Sequence, residues 1–239
     1  MNAADLLEKE QSQTNYTTMS SSFDKLLSGI PSGALVEVAG FPGMGKTQLA
    51  MQLCVSIHLS DPKASAIYID TEGSFVPSRL AQMAAAVSPG DVEAILSNVH
   101  VYRITSQLDL LALLNLLEEY IMDDPTIKLV IIDSIAFPFR NSTDMAHRSR
   151  TLHTMAQILR KIASLYGVCV LITNQMTTKI IQKVTGESSS IMIPALGESW
   201  GHACMHRIVL LWKNETRIAW LSKSSTRANK QQPFTVTVI

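Results

Sequence analysis

Gly40-Phe41-Pro42-Gly43-Met44-Gly45-Lys46-Thr47 stands between an apolar run, Ala34 to Ala39, and a helical stretch that begins near Lys46. The eight residues fit G-x-x-x-x-G-K-[ST], and the flanks supply the strand before and the helix after that this motif requires. Gly40, Gly43 and Gly45 let the backbone wrap an anion without side-chain clashes, so that its N–H groups and the helix N-terminus face the phosphates. Lys46 is then placed to reach the β- and γ-phosphates and the Thr47 hydroxyl to hold Mg²⁺. The stretch predicts a nucleoside-triphosphate site.

Outward from the motif, β-like runs alternate with helical ones. Ala66 to Asp70, Val99 to Ile104, Leu129 to Asp133 and Val168 to Thr173 are expected as strands, and Leu49, Ala50, Leu53 and Ile57 form one face of the helix after the motif. Such alternation predicts an α/β fold, a mainly parallel central sheet flanked by helices. Leu108 to Met122 is apolar on most faces and is expected as a largely buried helix. A cleaner stripe of Leu152, Met155, Leu159, Ile162 and Tyr166 marks a helix from about Ala146 to Tyr166, with Gly167 as its stop. The C-terminal part changes character. His206 to Trp212, Arg217 to Ser222 and Phe234 to Ile239 are expected as a β-meander, with turns at Asn214-Glu215 and near Arg227 to Gln232. Residues 1–22, rich in Ser, Thr, Asn, Gln and Glu, are expected as a polar tail or linker before a single domain over 23–239.

The chain has 239 residues with 46% hydrophobic content, enough for one substantial core. Its 20 basic and 20 acidic residues cancel. No global positive field draws it to nucleic acid, and contact of that kind has to come from local loops. Cys54, Cys169 and Cys204 fall in apolar segments at unrelated spacings, which suits reduced core thiols in a cytosolic or nuclear protein rather than a disulfide frame or a zinc site. No apolar run approaches the roughly 20 residues of a membrane span, so no membrane contact is expected.

Hydrolysis asks for more than a phosphate cradle: a second magnesium contact and a group that orients water. Leu129-Val130-Ile131-Ile132-Asp133 is a buried strand delivering a carboxylate at its C-terminal edge, where ligands gather in open α/β sheets. Asp133 is therefore the second expected metal contact beside Thr47. Glu72, after the strand ending at Asp70, is placed to polarise water as general base, and Asp70 competes for that role. Gln175 ends another apolar strand, where a neutral amide can report a γ-phosphate.

Five segments, Gly40 to Gln48, Asp70 to Phe75 (DTEGSF), Asp133 to Arg140 (DSIAFPFR), Thr173 to Ile180 (TNQMTTKI) and Pro194 to Ala203 (PALGESWGHA), resemble the RecA-like P-loop ATPase core of eukaryotic recombinases. Within that family they look most like the C paralogue of the strand-exchange recombinase, in order from about Thr18 onward. The resemblance implies ATP and Mg²⁺ as cofactors, with Lys46 and Thr47 on phosphate and metal, Glu72 as catalytic glutamate and Gln175 opening the second DNA-binding loop. It adds Gln48 and Arg79 to the nucleotide contacts, Arg79 against the adenine base, and places His202 near the nucleotide of a neighbouring protomer.

Two loops are expected to face single-stranded DNA: Phe137 to Arg150, with Arg140, Arg148 and Arg150, and Met176 to Ser199, with Lys179 and Lys183. Basic side chains on loops pair with phosphates in a salt-sensitive, largely sequence-independent way, although an ordinary solvated loop has the same composition. Members of the family usually carry a small helical N-terminal domain, where residues 1–22 here are polar, and Val76 replaces a basic residue common in the strand-exchange recombinases. Filament formation by this chain alone is not expected. Tyr16-Thr17-Thr18-Met19 is the candidate for the segment that, in the family, docks onto an adjacent protomer's sheet edge. The function expected is an ATP-binding recombinase paralogue of the nucleus, hetero-oligomeric with other paralogues and the main recombinase. It would hydrolyse ATP weakly in a DNA-dependent way and help that recombinase load or remain on single-stranded DNA in homologous-recombination repair. The alternatives are a DNA-stimulated motor or strand-exchange enzyme of the same fold, and a small-molecule P-loop kinase.

Overall fold

The computed structural model describes residues 13–182 and 188–237, and Asn2, Ala4 and Leu7 before them. Four strands, β3 (Leu35–Gly40), β4 (Ser65–Asp70), β6 (Ile127–Asp133) and β7 (Cys169–Asn174), carry near-continuous apolar runs and are buried almost throughout. Strands of this composition satisfy both faces only at the centre of a parallel sheet covered by helices. With β5 (Val99–Arg103), β10 (His206–Lys213), β11 (Thr216–Ser224) and β12 (Lys230–Phe234) they form an eight-stranded sheet in the order β12-β11-β10-β3-β7-β6-β4-β5. Pairing is parallel from β10 through to β5, and antiparallel at β10-β11 and β11-β12.

Two apolar cores lie on the two faces. One gathers α1 (Ser21–Leu27), α2 (Lys46–Ser60), α3 (Pro77–Val87) and α4 (Val92–Ser97), through residues such as Phe23, Leu53, Leu80 and Ile95. The other gathers α5 (Gln107–Asp123), α6 (Met145–Tyr166) and α7 (Gly197–Ala203), through Leu114, Leu159 and Trp200. Local chemistry sets the helix ends. Asp144 caps α6 by accepting from the N–H groups of Ala146 and His147, and Gly167 ends it at φ 66, the left-handed conformation in which glycine carries no Cβ penalty.

Several expectations need correction. Only one face of α5 is buried (Leu110, Leu113, Leu114, Leu117, Ile121), while Leu108, Leu116 and Met122 are exposed. Composition alone could not say that the described residues lay nothing over the second face. The last meander strand runs through Lys230–Phe234 and does not continue over 235–237, while 238 and 239 of the expected strand lie outside the described residues. Its residues pair with Arg217 to Leu221, so the polar Lys230-Gln231-Gln232, expected as a turn, are strand residues at the sheet edge. Asn214 and Glu215, at φ 46 and 62, do make the two-residue turn between β10 and β11.

The chain also enters the fold before residue 23. In β1 (Asn15–Tyr16), Tyr16 pairs with Ile30 of β2 (Ile30–Pro31) and is buried, and the Thr18 N–H donates to Asp24 Oδ1. A Tyr16 ring packed in its own core is not free to dock on another protomer, so Tyr16-Thr17-Thr18-Met19 is not the strand-donating segment. The described residues of the region 176–199 do not form an open loop. β8 (Met176–Gln182) and β9 (Ser188–Pro194) form an antiparallel hairpin, followed by α7.

Candidate nucleotide site

β3 ends at Gly40, the parallel neighbour of β7, and the chain turns through 41–45 into α2. Gly43 and Gly45 hold φ 76 and 94, which L side chains rarely adopt. A Cβ at Gly45 would come within 2.9 Å of Val236 Cγ2, so that side chain would have to shift to admit one. The Lys46 ammonium is buried and folds back on the turn, donating to the carbonyls of Gly40 (2.8 Å) and Phe41 (3.0 Å). Burial draws its pKa below the usual lysine range, and the carboxylates of Asp133 and Glu72 pull the other way.

Asp133, at the C-terminal end of β6, is held from several sides. Its Oδ2 accepts from Thr47 Oγ1 (2.7 Å) and from the Tyr68 hydroxyl (2.7 Å), and its Oδ1 accepts from Thr173 Oγ1 (2.5 Å). Tyr68 and Thr173 were not singled out from sequence, since their role depends on β4 and β7 flanking β6. The Tyr68 phenol is pushed well above its usual range by burial first and by Asp133 second, so it stays a donor.

Of the two carboxylates left open at the end of β4, Asp70 is turned inward. It accepts from the N–H groups of Ser74 (3.0 Å) and Phe75 (3.2 Å) and pairs with Arg103 at 3.5 Å, so it shapes the turn that presents Glu72. Glu72 Oε1 accepts from Ser134 Oγ (2.5 Å) and Gln175 Nε2 (2.8 Å) and lies 3.7 Å from the Arg140 guanidinium. Pro42, Gly43, Gly45, Lys46, Thr47, Gln48, with Glu72, Asp133, Arg140, Gln175 and Val236, line one cavity of about 390 Å³. Gln48, Arg79 and Val236 line a neighbouring one of about 300 Å³, where Arg79 Nε donates to Gln48 Oε1 at 2.8 Å.

The donor set fits a triphosphate with a divalent cation: one ammonium, a glycine turn opening a helix, and a hydroxyl beside an acid. Among the described residues no cluster of three His, Cys, Asp or Glu side chains could hold a metal by itself. Mg²⁺ is usually bound through one or two protein groups plus phosphate. Thr47 and Asp133 are the residues that would hold it, and the ion would supply charge neutralisation on the phosphates.

Of the expected DNA residues, Arg148 and Lys179 line one common cavity, and Arg140 stands apart from them. Arg140 belongs to the nucleotide cavity, stacked over Phe137 with its guanidinium carbon 4.8 Å from the ring centroid. Arg148 and Arg150 stand on the first turns of α6 rather than on a loop. Lys179, on β8, pairs with Glu198 at 3.1 Å, and Lys183 lies outside the described residues. His202 is exposed on α7, clear of this chain's own nucleotide cavity. The chain's own Val236 went unnoticed in the sequence, because nothing local signals that a C-terminal residue returns to the glycine turn.

A parallel sheet with a P-loop between β3 and α2, and with an acid at the end of β6, defines a RecA-like nucleotide-binding core. The chain belongs to the Rad51 family, whose model matches residues 9–238. It is 36% identical over 261 residues to DNA repair protein RAD51 homolog 3 of Cricetulus griseus, covering 98% of this chain and 70% of that protein. Over 254 residues it is 35% identical to RAD51 homolog 3 of Dictyostelium discoideum, covering 97% of this chain and 66% of that protein. It is 31% identical over 261 residues to DNA repair and recombination protein RadA of Methanococcus maripaludis (strain C5 / ATCC BAA-1333), with 98% and 77% covered. The chain thus spans about two thirds to three quarters of the length of these relatives.

Proposed function

We propose that this chain is an ATP-binding recombinase paralogue of homologous-recombination DNA repair. In this reading it joins other paralogues and the main recombinase in the nucleus and helps that recombinase load or remain on single-stranded DNA. The similarity to RAD51 homolog 3 supports the repair role. The observation that carries the switch-like part is the place of Gln175. Its amide reaches Glu72 in the nucleotide cavity at 2.8 Å, and the next residue, Met176, begins the hairpin β8-β9. A group that reads the terminal phosphate is therefore one peptide away from the element expected to meet DNA. Binding of ATP with Mg²⁺ at Thr47 and Asp133 favours one arrangement of that element, and weak hydrolysis returns it to the other.

A second reading, a DNA-stimulated motor or strand-exchange enzyme, has the complete set of Lys46, Glu72 and Asp133 in its favour. Affinity purification followed by mass spectrometry separates the two. Recombinase relatives should co-purify with the chain in ATP and much less with Lys46→Ala. If no recombinase relative is recovered, and single-stranded DNA alone drives fast turnover, the second reading replaces the first.

A further inference from the structure

We propose that Arg140 is a residue of the nucleotide site that recognises the terminal phosphate from within the same chain, rather than a DNA contact. The inference rests on the nucleotide reading of the P-loop cavity. The side chain follows the short 3₁₀ turn Phe137–Phe139 that leaves β6, and its own backbone N–H donates to the Phe137 carbonyl at 3.1 Å. Stacking on the Phe137 ring fixes the direction of the guanidinium, which ends 3.7 Å from Glu72 Oε1 on the wall of the cavity that also holds Lys46 and Gln175. About half of the side chain is still exposed (52%), so part of the guanidinium's donor capacity remains available.

Glu72 holds the guanidinium only at ion-pair distance, 3.7 Å from its Oε1, while that same oxygen accepts from Ser134 and Gln175. A terminal phosphate group entering beside Gln175 is a better partner, carrying more charge and offering two oxygens to the planar fork. Arg140 then shifts from the carboxylate to the phosphate and leaves Glu72 with its two neutral donors. ADP lacks the group that Arg140 meets, so the residue separates the two nucleotides. Through the turn after β6 it also ties that difference to the start of α6.

The test measures binding, with no turnover required. Equilibrium affinities for a slowly hydrolysed ATP analogue and for ADP, both with Mg²⁺, are compared for the full chain, Arg140→Gln and Arg140→Lys. Single-stranded DNA affinity is measured without nucleotide. Arg140→Gln should weaken the triphosphate analogue by about tenfold or more while changing ADP by less than about twofold, as expected for one lost charge-assisted contact. Arg140→Lys, which keeps the charge but not the fork, should recover part of the loss. DNA affinity should not move. Equal changes for both nucleotides, no change for either, or a loss confined to DNA overturns the proposal. If the unsubstituted chain binds neither nucleotide, the site reading itself fails and takes this inference with it. Lys46→Ala, which should lose both, marks that case apart.

Discussion

At Asp133 one carboxylate accepts from Thr47, Tyr68 and Thr173, residues of α2, β4 and β7. Each donor restricts the acid to a single rotamer, which fixes where a metal contact can be made before any ligand arrives. Glu72 is held less tightly, at the rim of the same cavity, and this contrast argues for different roles. Glu72→Gln keeps the volume and much of the hydrogen bonding but removes the acceptor of a proton. Nucleotide affinity should remain within about threefold of the parent, while hydrolysis falls by about 100-fold or more, the range of a lost general base. Paired titration and single-turnover measurements check this. Equal loss in both would make Glu72 a binding residue instead.

At the scale of elements, the eight residues Gly40 to Thr47 were sufficient to place the cradle, because their glycines, lysine and hydroxyl act within one turn. Strands β4, β6 and β7 were legible for the same kind of reason: unbroken apolar runs have no other stable location. What depended on long-range pairing was not legible. Nothing in Lys230-Gln231-Gln232 announces an edge strand, and nothing in Val236 announces a neighbour at Gly45. The hairpin β8-β9 is the instructive case. The family resemblance implied a loop here, but Thr177, Lys179 and Ile181 find partners at Ile193, Ile191 and Ser189, and the ladder satisfies the backbone. Basic residues on it and on α6 therefore stand at fixed spacing. Replacing Arg148, Arg150 and Lys179 together by alanine should weaken single-stranded DNA binding and make the slope of log affinity against log salt shallower by up to about 2, for roughly 0.7 per lost phosphate contact. Fluorescence anisotropy over a salt series measures it. An unchanged slope removes these residues from the DNA surface.

The whole molecule is one sheet in which β10 joins a parallel half to an antiparallel end, and the junction is polar at its centre. Glu37 of β3 is fully buried, with its carboxylate engaged by Arg207 of β10 and by Asn174 of β7 (2.6 Å). Asn174 also donates to the Ala195 carbonyl, so the pair ties three strands to the segment after β9. Beside it, His206 is buried with Nδ1 3.0 Å from Ser224 Oγ. Burial first, and the nearby Lys223 ammonium second, push the imidazole pKa below its usual value. The folded protein therefore holds His206 neutral where the unfolded chain, titrating near pH 6.5, begins to take up a proton. Because the unfolded state binds more protons in that range, His206 contributes stability above about pH 6.5 and loses it as the pH falls toward the depressed folded value. His206→Gln keeps a hydrogen-bonding group of similar reach and removes the titration. The urea midpoint of the parent should drop more steeply between pH 7 and pH 5 than that of His206→Gln, with the two curves parallel above pH 7. Equal slopes across the acid range would show that the junction between the two halves of the sheet does not feel this proton.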